Sequence, residues 1–404
     1  MNSCSRALNL QPTRVPASAW MMLRMLGGIR CGRLDLVTPD GDTIGFAGGE
    51  SGPHARLTLH DWGVCASILA RGEIGFAEAY CAGRWETPEL ADLLILAILN
   101  QEALDKAMNG RPWHRWFHRL LHLTRRNTRA GSRRNIHAHY DIGNDFYRLW
   151  LDADLNYSSA LFDDAGTDLA VAQQAKHERI LQRLGVGPGE HILEIGCGWG
   201  SFAEYAARTR GCRVTGITLS TEQLAWARER IRLAGLESQV ELRLCDYRDV
   251  DGQFDHIVSI EMIEAVGEAW WPVYFGVIRA RLRAGGRALI QTITIDDAHF
   301  ETYRRGTDFI QQYIFPGGML PSPRKLAELI PAHGLRITDR HAFGGDYERT
   351  LQCWRQQFEA NLDEVRALGY DEAFIRIWRF YLAYCEAGFH IGRTDVLQLE
   401  IRHA

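Results

Sequence analysis

Hydrophobic positions along the chain follow two rhythms. From His191 onward, short apolar runs rich in Val and Ile recur: His191–Ile195, Arg213–Thr218, Val240–Leu244, His256–Ile260 and Ala288–Ile293. Segments with helical spacing, Ser201–Thr209, Thr221–Ala234 and Trp270–Arg283, separate most of them. Such alternation predicts an α/β fold, a doubly wound and mostly parallel sheet covered on both faces. The first hundred residues read differently. Arg33–Val37, the turn Pro39-Asp40-Gly41 and Thr43–Phe46 predict a hairpin, and Arg56–His60 another strand. Ala77–Tyr80 and Glu89–Asn100 read as helices, the second opened by Thr87-Pro88 as cap and first position. This is the pattern of a small α+β domain.

Between these blocks the charge pattern changes. No acidic residue stands between Asp105 and Asp141, while Arg111, Arg115, Arg119, Arg125, Arg126, Arg129, Arg133 and Arg134 all do. Trp113, Trp116, Phe117, Leu120 and Leu121 are interleaved at helical spacings. A basic helix with an aromatic face fits either an interfacial membrane helix or a linker docked on the protein. The expected division is residues 1–104, a basic amphipathic linker over 105–134, and a catalytic domain over 135–404.

Composition narrows the class. With 404 residues, 46% of them hydrophobic, and a net charge of −4, the chain has material for two domains and no global charge for nucleic acid. The longest apolar run, Leu90–Leu99, is about half a membrane span and carries Asp92. The nine cysteines are scattered, without metal-ligand spacing, which fits a reducing cytoplasm and no metal site.

The most informative motif is Glu194-Ile195-Gly196-Cys197-Gly198-Trp199-Gly200, set between a strand and a helix. Its glycines allow a tight turn and close approach to a ligand. The preceding Glu194, together with the lack of a third glycine where a pyrophosphate cradle expects one, points away from a dinucleotide. It fits the methyltransferase version of the fold, with Glu194 facing the cationic methionine part of S-adenosylmethionine. Thr218 and Gln223 stand where an acidic residue usually meets the ribose. Asp246 is placed for the adenine amine and Tyr247 for the ring face.

From Asn135 onward the chain resembles the cyclopropane fatty acid and mycolic acid cyclopropane synthases. The likeness rests on His139-Tyr140-Asp141-Ile142-Gly143-Asn144-Asp145-Phe146-Tyr147, Tyr157-Ser158, the Gly turn and Thr218-Leu219-Ser220 with Gln223. It continues through Ser259-Ile260-Glu261-Met262-Ile263-Glu264, Tyr313-Ile314-Phe315-Pro316-Gly317-Gly318 and Asp346-Tyr347 with Thr350-Leu351. The resemblance implies methyl transfer from S-adenosylmethionine to the double bond of an unsaturated phospholipid acyl chain. It implies cofactor contacts from Tyr157, Ser158, Gly196, Gly198, Thr218, Leu219, Gln223 and Tyr247. The carbocation that follows calls for aromatic faces. In ring-forming members a bicarbonate then removes a proton; its ligands correspond to Glu264, the backbone of Ile293, and Tyr347.

Two positions depart from the family pattern. Ser159 stands where a Cys is usual, and Gln291 where a His is usual. Both keep a hydrogen-bond donor, yet Gln carries no charge and shuttles no proton. A cyclopropane is the first expectation, and a methyl-branched or methylene chain the alternative. A small-molecule methyltransferase of the same fold is a further one. The expected setting is the cytoplasm, peripheral on the inner face of the membrane, with the phospholipid surface as partner and a homodimer as assembly.

Overall fold

A computed structural model describes residues 15–103, 142–164 and 166–404. The chain divides into two compact units, one combining the amino-terminal residues with 369–391, the other combining the segment up to Leu368 with 392–404.

In the first unit, β1 (Cys31–Val37), β2 (Thr43–Ala47), β3 (Glu50–Leu59) and β4 (Trp85–Glu86) form a sheet in the order β2-β1-β3-β4. The expected hairpin is present: β1 and β2 run antiparallel with Leu36 opposite Ile44, and Gly41 closes the turn at φ +90°. Ala77–Tyr80 belongs to a longer helix, Gly63–Cys81, broken at Gly72. The helix Leu90–Leu99 starts later than Thr87-Pro88 suggested. Glu89 is its cap residue and no side chain caps it, because the Thr87 hydroxyl donates to the Glu89 carbonyl instead. At its far end Asn100 accepts from the Arg30 and Cys31 amides, which fastens the helix to β1.

One late helix, Glu372–His390, belongs to this unit although its place in the sequence lies within the block read as catalytic. Arg376 donates to the Tyr80 carbonyl, and Phe380 packs on Phe76 and Tyr80. Its aromatic face is complementary to this core, a relation that separation along the chain conceals.

The second unit holds the expected sheet. β5 (His191–Ile195), β6 (Arg213–Thr218), β7 (Val240–Leu244), β8 (Phe254–Ile260) and β9 (Leu282–Ile295) are all parallel. Two strands that periodicity did not expose, β10 (Leu335–Ala342) and β11 (Thr394–His403), extend it antiparallel, giving the order β10-β11-β9-β8-β5-β6-β7. Alternate residues serve opposite faces. Ile192 packs with Phe202, Leu224 and Ile231 on one side, and Leu193 with Trp271, Phe275 and Ile278 on the other. The chain winds outward through β6 and β7, then returns to lay β8 against the other side of β5. Strand order therefore reverses between β5 and β8, and a ligand crevice is expected beyond their carboxyl ends.

Candidate active site

That crevice exists. Its lining includes Tyr157, Ser158, Glu194, Gly196, Gly198, Thr218, Leu219, Gln223 and Tyr247, nine of the eleven residues expected at the cofactor. The turn after β5 has positive φ at Gly196 (+88°), Gly198 (+50°) and Gly200 (+83°). A Cβ on Gly196 would lie 3.1 Å from Met262 Cγ, so Met262 would have to yield to any side chain there, and the positive φ disfavours one in any case. Gly200 stands behind the wall: a Cβ on it would sit 3.0 Å from Ala227 Cβ, and its role is to let helices Ser201–Arg210 and Thr221–Leu233 close up. Asp246 is not among the lining residues either. Arg248 holds both its oxygens, Nε at 2.8 Å from Oδ1 and Nη2 at 2.5 Å from Oδ2. Thr218 and Gln223 are joined, the hydroxyl donating to Oε1 at 3.2 Å.

Glu194 carries the electrostatics of this half. It is 3% exposed, and its Oε2 has no hydrogen-bond partner among the described residues. Burial pushes its carboxyl up to about 8, opposed by Lys176. A buried carboxylate oxygen without a donor is costly unless a cation arrives. The methionine portion of S-adenosylmethionine, with its sulfonium and ammonium, supplies such a charge, so the residues present fit this cofactor.

The other half of the site is organised around a residue to which sequence reasoning gave no role. Ser159, Gln291 and Tyr347 do converge, but on Glu261. Its Oε1 accepts from the Ser159 amide at 2.9 Å and from Gln291 Nε2 at 2.8 Å; its Oε2 accepts from the Tyr347 hydroxyl at 2.6 Å. Tyr347 and Glu264, expected as ligands of one bicarbonate, are not hydrogen-bonded to each other. Glu264 instead accepts from the Ile293 amide at 2.5 Å and the Thr292 hydroxyl at 2.9 Å, and its Oε2 is without a partner among the described residues. Glu261 also has a backbone φ of +50°, unusual outside glycine. Burial pushes the Glu261 carboxyl up, and the three donors pull it back; burial and the Glu261 charge push Glu264 up to about 8. The one available signal was the acidic residue at the end of β8, three positions before Glu264.

A cluster of aromatic rings backs the cavity wall at Tyr157. Tyr157 packs against Tyr147, Trp150, Phe315 and Trp354, and Tyr347 lies edge-on to Trp354. Trp199 donates from Nε1 to Asn144 at 2.7 Å, tying the Gly turn to this cluster. Aromatic faces attract positive charge by cation–π attraction, and Tyr157 is the ring of this cluster that lines the cavity. Among the described residues no group of His, Cys, Asp and Glu could hold a metal.

Comparison with known proteins agrees with this chemistry. Residues 127–399 match the family described as mycolic acid cyclopropane synthetase. The chain is 42% identical over 369 residues to a tuberculostearic acid methyltransferase of Mycobacterium tuberculosis, covering 88% of this chain and 85% of that one. It is 37% identical to the cyclopropane-fatty-acyl-phospholipid synthase of Escherichia coli, covering 82% and 84%. Among solved structures it resembles a mycolic acid cyclopropane synthase complexed with SAH and CTAB, at a TM-score of 0.63 and 32% identity over 67% of this chain and 97% of that one. The chain belongs to the mycolic acid cyclopropane synthetase family and is an S-adenosylmethionine-dependent methyltransferase.

Proposed function

We propose that the enzyme methylates the double bond of an unsaturated phospholipid acyl chain, and that Glu261 takes the place of bicarbonate as the base. The observation that carries this reading is the set of three donors already satisfied by the Glu261 carboxylate. A second anion there would displace an ion held by its own chain.

S-Adenosylmethionine supplies an electrophilic methyl group when bound. Glu194 and the Gly196 turn orient it, and the aromatic cluster excludes water from the acceptor. An alkene carbon attacks the methyl, the new C–C bond forms as the S–C bond breaks, and S-adenosylhomocysteine departs. The neighbouring alkene carbon is left cationic, and Tyr157 is the aromatic face of the cavity wall that can steady it. Ring closure and methylene formation both lose a proton from the transferred carbon. They differ in whether a hydride shifts between the two former alkene carbons first. Glu261 is tethered, and both its oxygens already accept hydrogen bonds, so it captures the proton more slowly than a mobile anion. The shift then precedes deprotonation, and a methylene-branched chain results. The overall change is one CH2 gained by the acyl chain and one proton released. Of the matched relatives, one is named a tuberculostearic acid methyltransferase and another a cyclopropane-fatty-acyl-phospholipid synthase.

The substrate lies in a bilayer, and no described helix is long and apolar enough to cross one. The basic aromatic linker at 105–134, outside the described residues, is assigned to anionic lipid at the membrane surface. The test supplies vesicles of unsaturated phospholipid and S-adenosylmethionine, with and without bicarbonate, and follows the fatty acids by mass spectrometry before and after mild catalytic hydrogenation. The expected product takes up two hydrogens, and turnover ignores bicarbonate. Glu261→Gly is expected to lose turnover and regain it with added bicarbonate. A product that resists hydrogenation, or wild-type turnover that requires bicarbonate, overturns the reading.

A further inference from the structure

One buried cation has no part in the chemistry described so far. Lys176 is 0% exposed, on the inner face of the helix Leu169–Leu184, and it lines the same cavity as Glu194 and Glu261. An ammonium facing a pocket for a cationic cofactor is an unfavourable placement unless something nearby requires it.

Its contacts show what requires it. Nζ donates to Ser158 Oγ at 2.8 Å and to Gln173 Oε1 at 2.6 Å, while Gln173 Nε2 donates to the Ser158 carbonyl at 2.9 Å. Ser158 is thus clamped by side chain and main chain at once. The next residue supplies the Ser159 amide that holds Glu261, and the preceding one, Tyr157, is a wall of the cofactor cavity. The charges facing Lys176 come from three elements: Glu194 at the end of β5, Glu261 beyond β8, and Asp152 in the segment before Asn156. On its own helix the neighbouring His177 ring packs against Phe202 and Tyr205, and burial keeps it neutral.

We propose that Lys176 is a positioning residue: its ammonium fixes the Tyr157–Ser159 segment and supplies the countercharge that keeps Glu261 ionised, so that cofactor wall and base are set by one side chain. The inference rests on the reading of Glu261 as the base. It does not depend on whether the product is a ring or a branch.

Burial brings the Lys176 ammonium down to about 8, which gives the proposal a pH signature. The charged form is the competent one, so kcat falls as pH rises through about 8. Replacing Lys176 by Met keeps the length and removes the charge. Lys176→Met is expected to reduce kcat about 10- to 100-fold, the usual loss for a residue that orients a site group, and to erase the alkaline limb. Lys176→Arg, which does not titrate in this range, is expected to restore part of kcat and likewise remove that limb. Calorimetry with S-adenosylmethionine and thermal melting establish that each variant is folded. Unchanged kcat and an unchanged profile in Lys176→Met overturn the proposal, as does Lys176→Arg retaining the limb at about 8. Failure of the Glu261 reading shows separately, as bicarbonate-dependent turnover in the wild type.

Discussion

Two carboxylates at the carboxyl edge of one sheet are treated in opposite ways. Glu194, after β5, has an oxygen with no donor; Glu261, after β8, accepts three hydrogen bonds, with both oxygens engaged. Both are buried, and burial pushes both upward in pKa. The difference lies in what each half lacks. The cofactor half is short of a cation and therefore receives one. In the other half the donors around Glu261 are taken by its own carboxylate, while the neighbouring Glu264 keeps one oxygen without a partner among the described residues. A buried charge left unpaired marks where a ligand's charge belongs, whereas one fully paired marks a site that needs no further ion.

The largest expected effect tests the half around Glu261. Glu261→Gln keeps the shape but removes the base, and turnover is expected to fall at least ~100-fold, the lower range for a positioned proton acceptor. Affinity for S-adenosylmethionine by calorimetry should hardly change. Equal losses in both would mean that the two halves are one electrostatic unit and the contrast is false.

Glu194→Gln tests the other half. Cofactor binding is expected to weaken by about 2–5 kcal/mol, the cost of removing one partner of a desolvated charge pair. In the wild type, binding needs the ionised carboxylate. Affinity should therefore rise as pH rises towards about 8 and level off above it, and the variant should show no such dependence. Stability should move the opposite way. A carboxyl whose pKa is raised on folding contributes stability at low pH that is lost as pH climbs towards about 8. The cofactor-free Glu194→Gln protein should accordingly melt higher than wild type at pH 8, with the gain shrinking towards pH 5.

The Gly turn separates a steric effect from a conformational one. Gly196→Val is expected to abolish cofactor binding, because its Cβ would press on Met262 and its φ is +88°. Gly198→Ala meets no atom within 4 Å, so its cost is the left-handed backbone alone, about 1–2 kcal/mol. A separate effect, outside both halves of the site, concerns the membrane. Changing Arg115, Arg119, Arg125 and Arg126 to Gln should weaken binding to anionic vesicles by about 1 kcal/mol per residue near the surface, with salt doing the same. Cofactor affinity should stay as it was.

By itself the sequence determined the parallel strands β5 to β9, whose burial on both faces leaves continuous apolar runs, and it pointed to the ends of β5, β6 and β7, whose residues line one crevice. Local spacing suffices there because each group acts where its own strand ends. Only the tertiary structure decided the rest. Helix Glu372–His390 joins a core nearly three hundred residues earlier, a pairing that side-chain complementarity sets and separation along the chain hides. Gly200 and Asp246 share the motif's signature but serve helix packing and an ion pair with Arg248. Ser159, Gln291 and Tyr347 were expected around an anion; that they meet on Glu261, Ser159 through its backbone amide, is visible only in the structure. Glu261 and Glu264 are both acids at the end of one strand. Which of them meets Tyr347, 86 residues away for Glu261, is decided by a hydrogen bond of 2.6 Å across the fold. Composition and periodicity record no such contact.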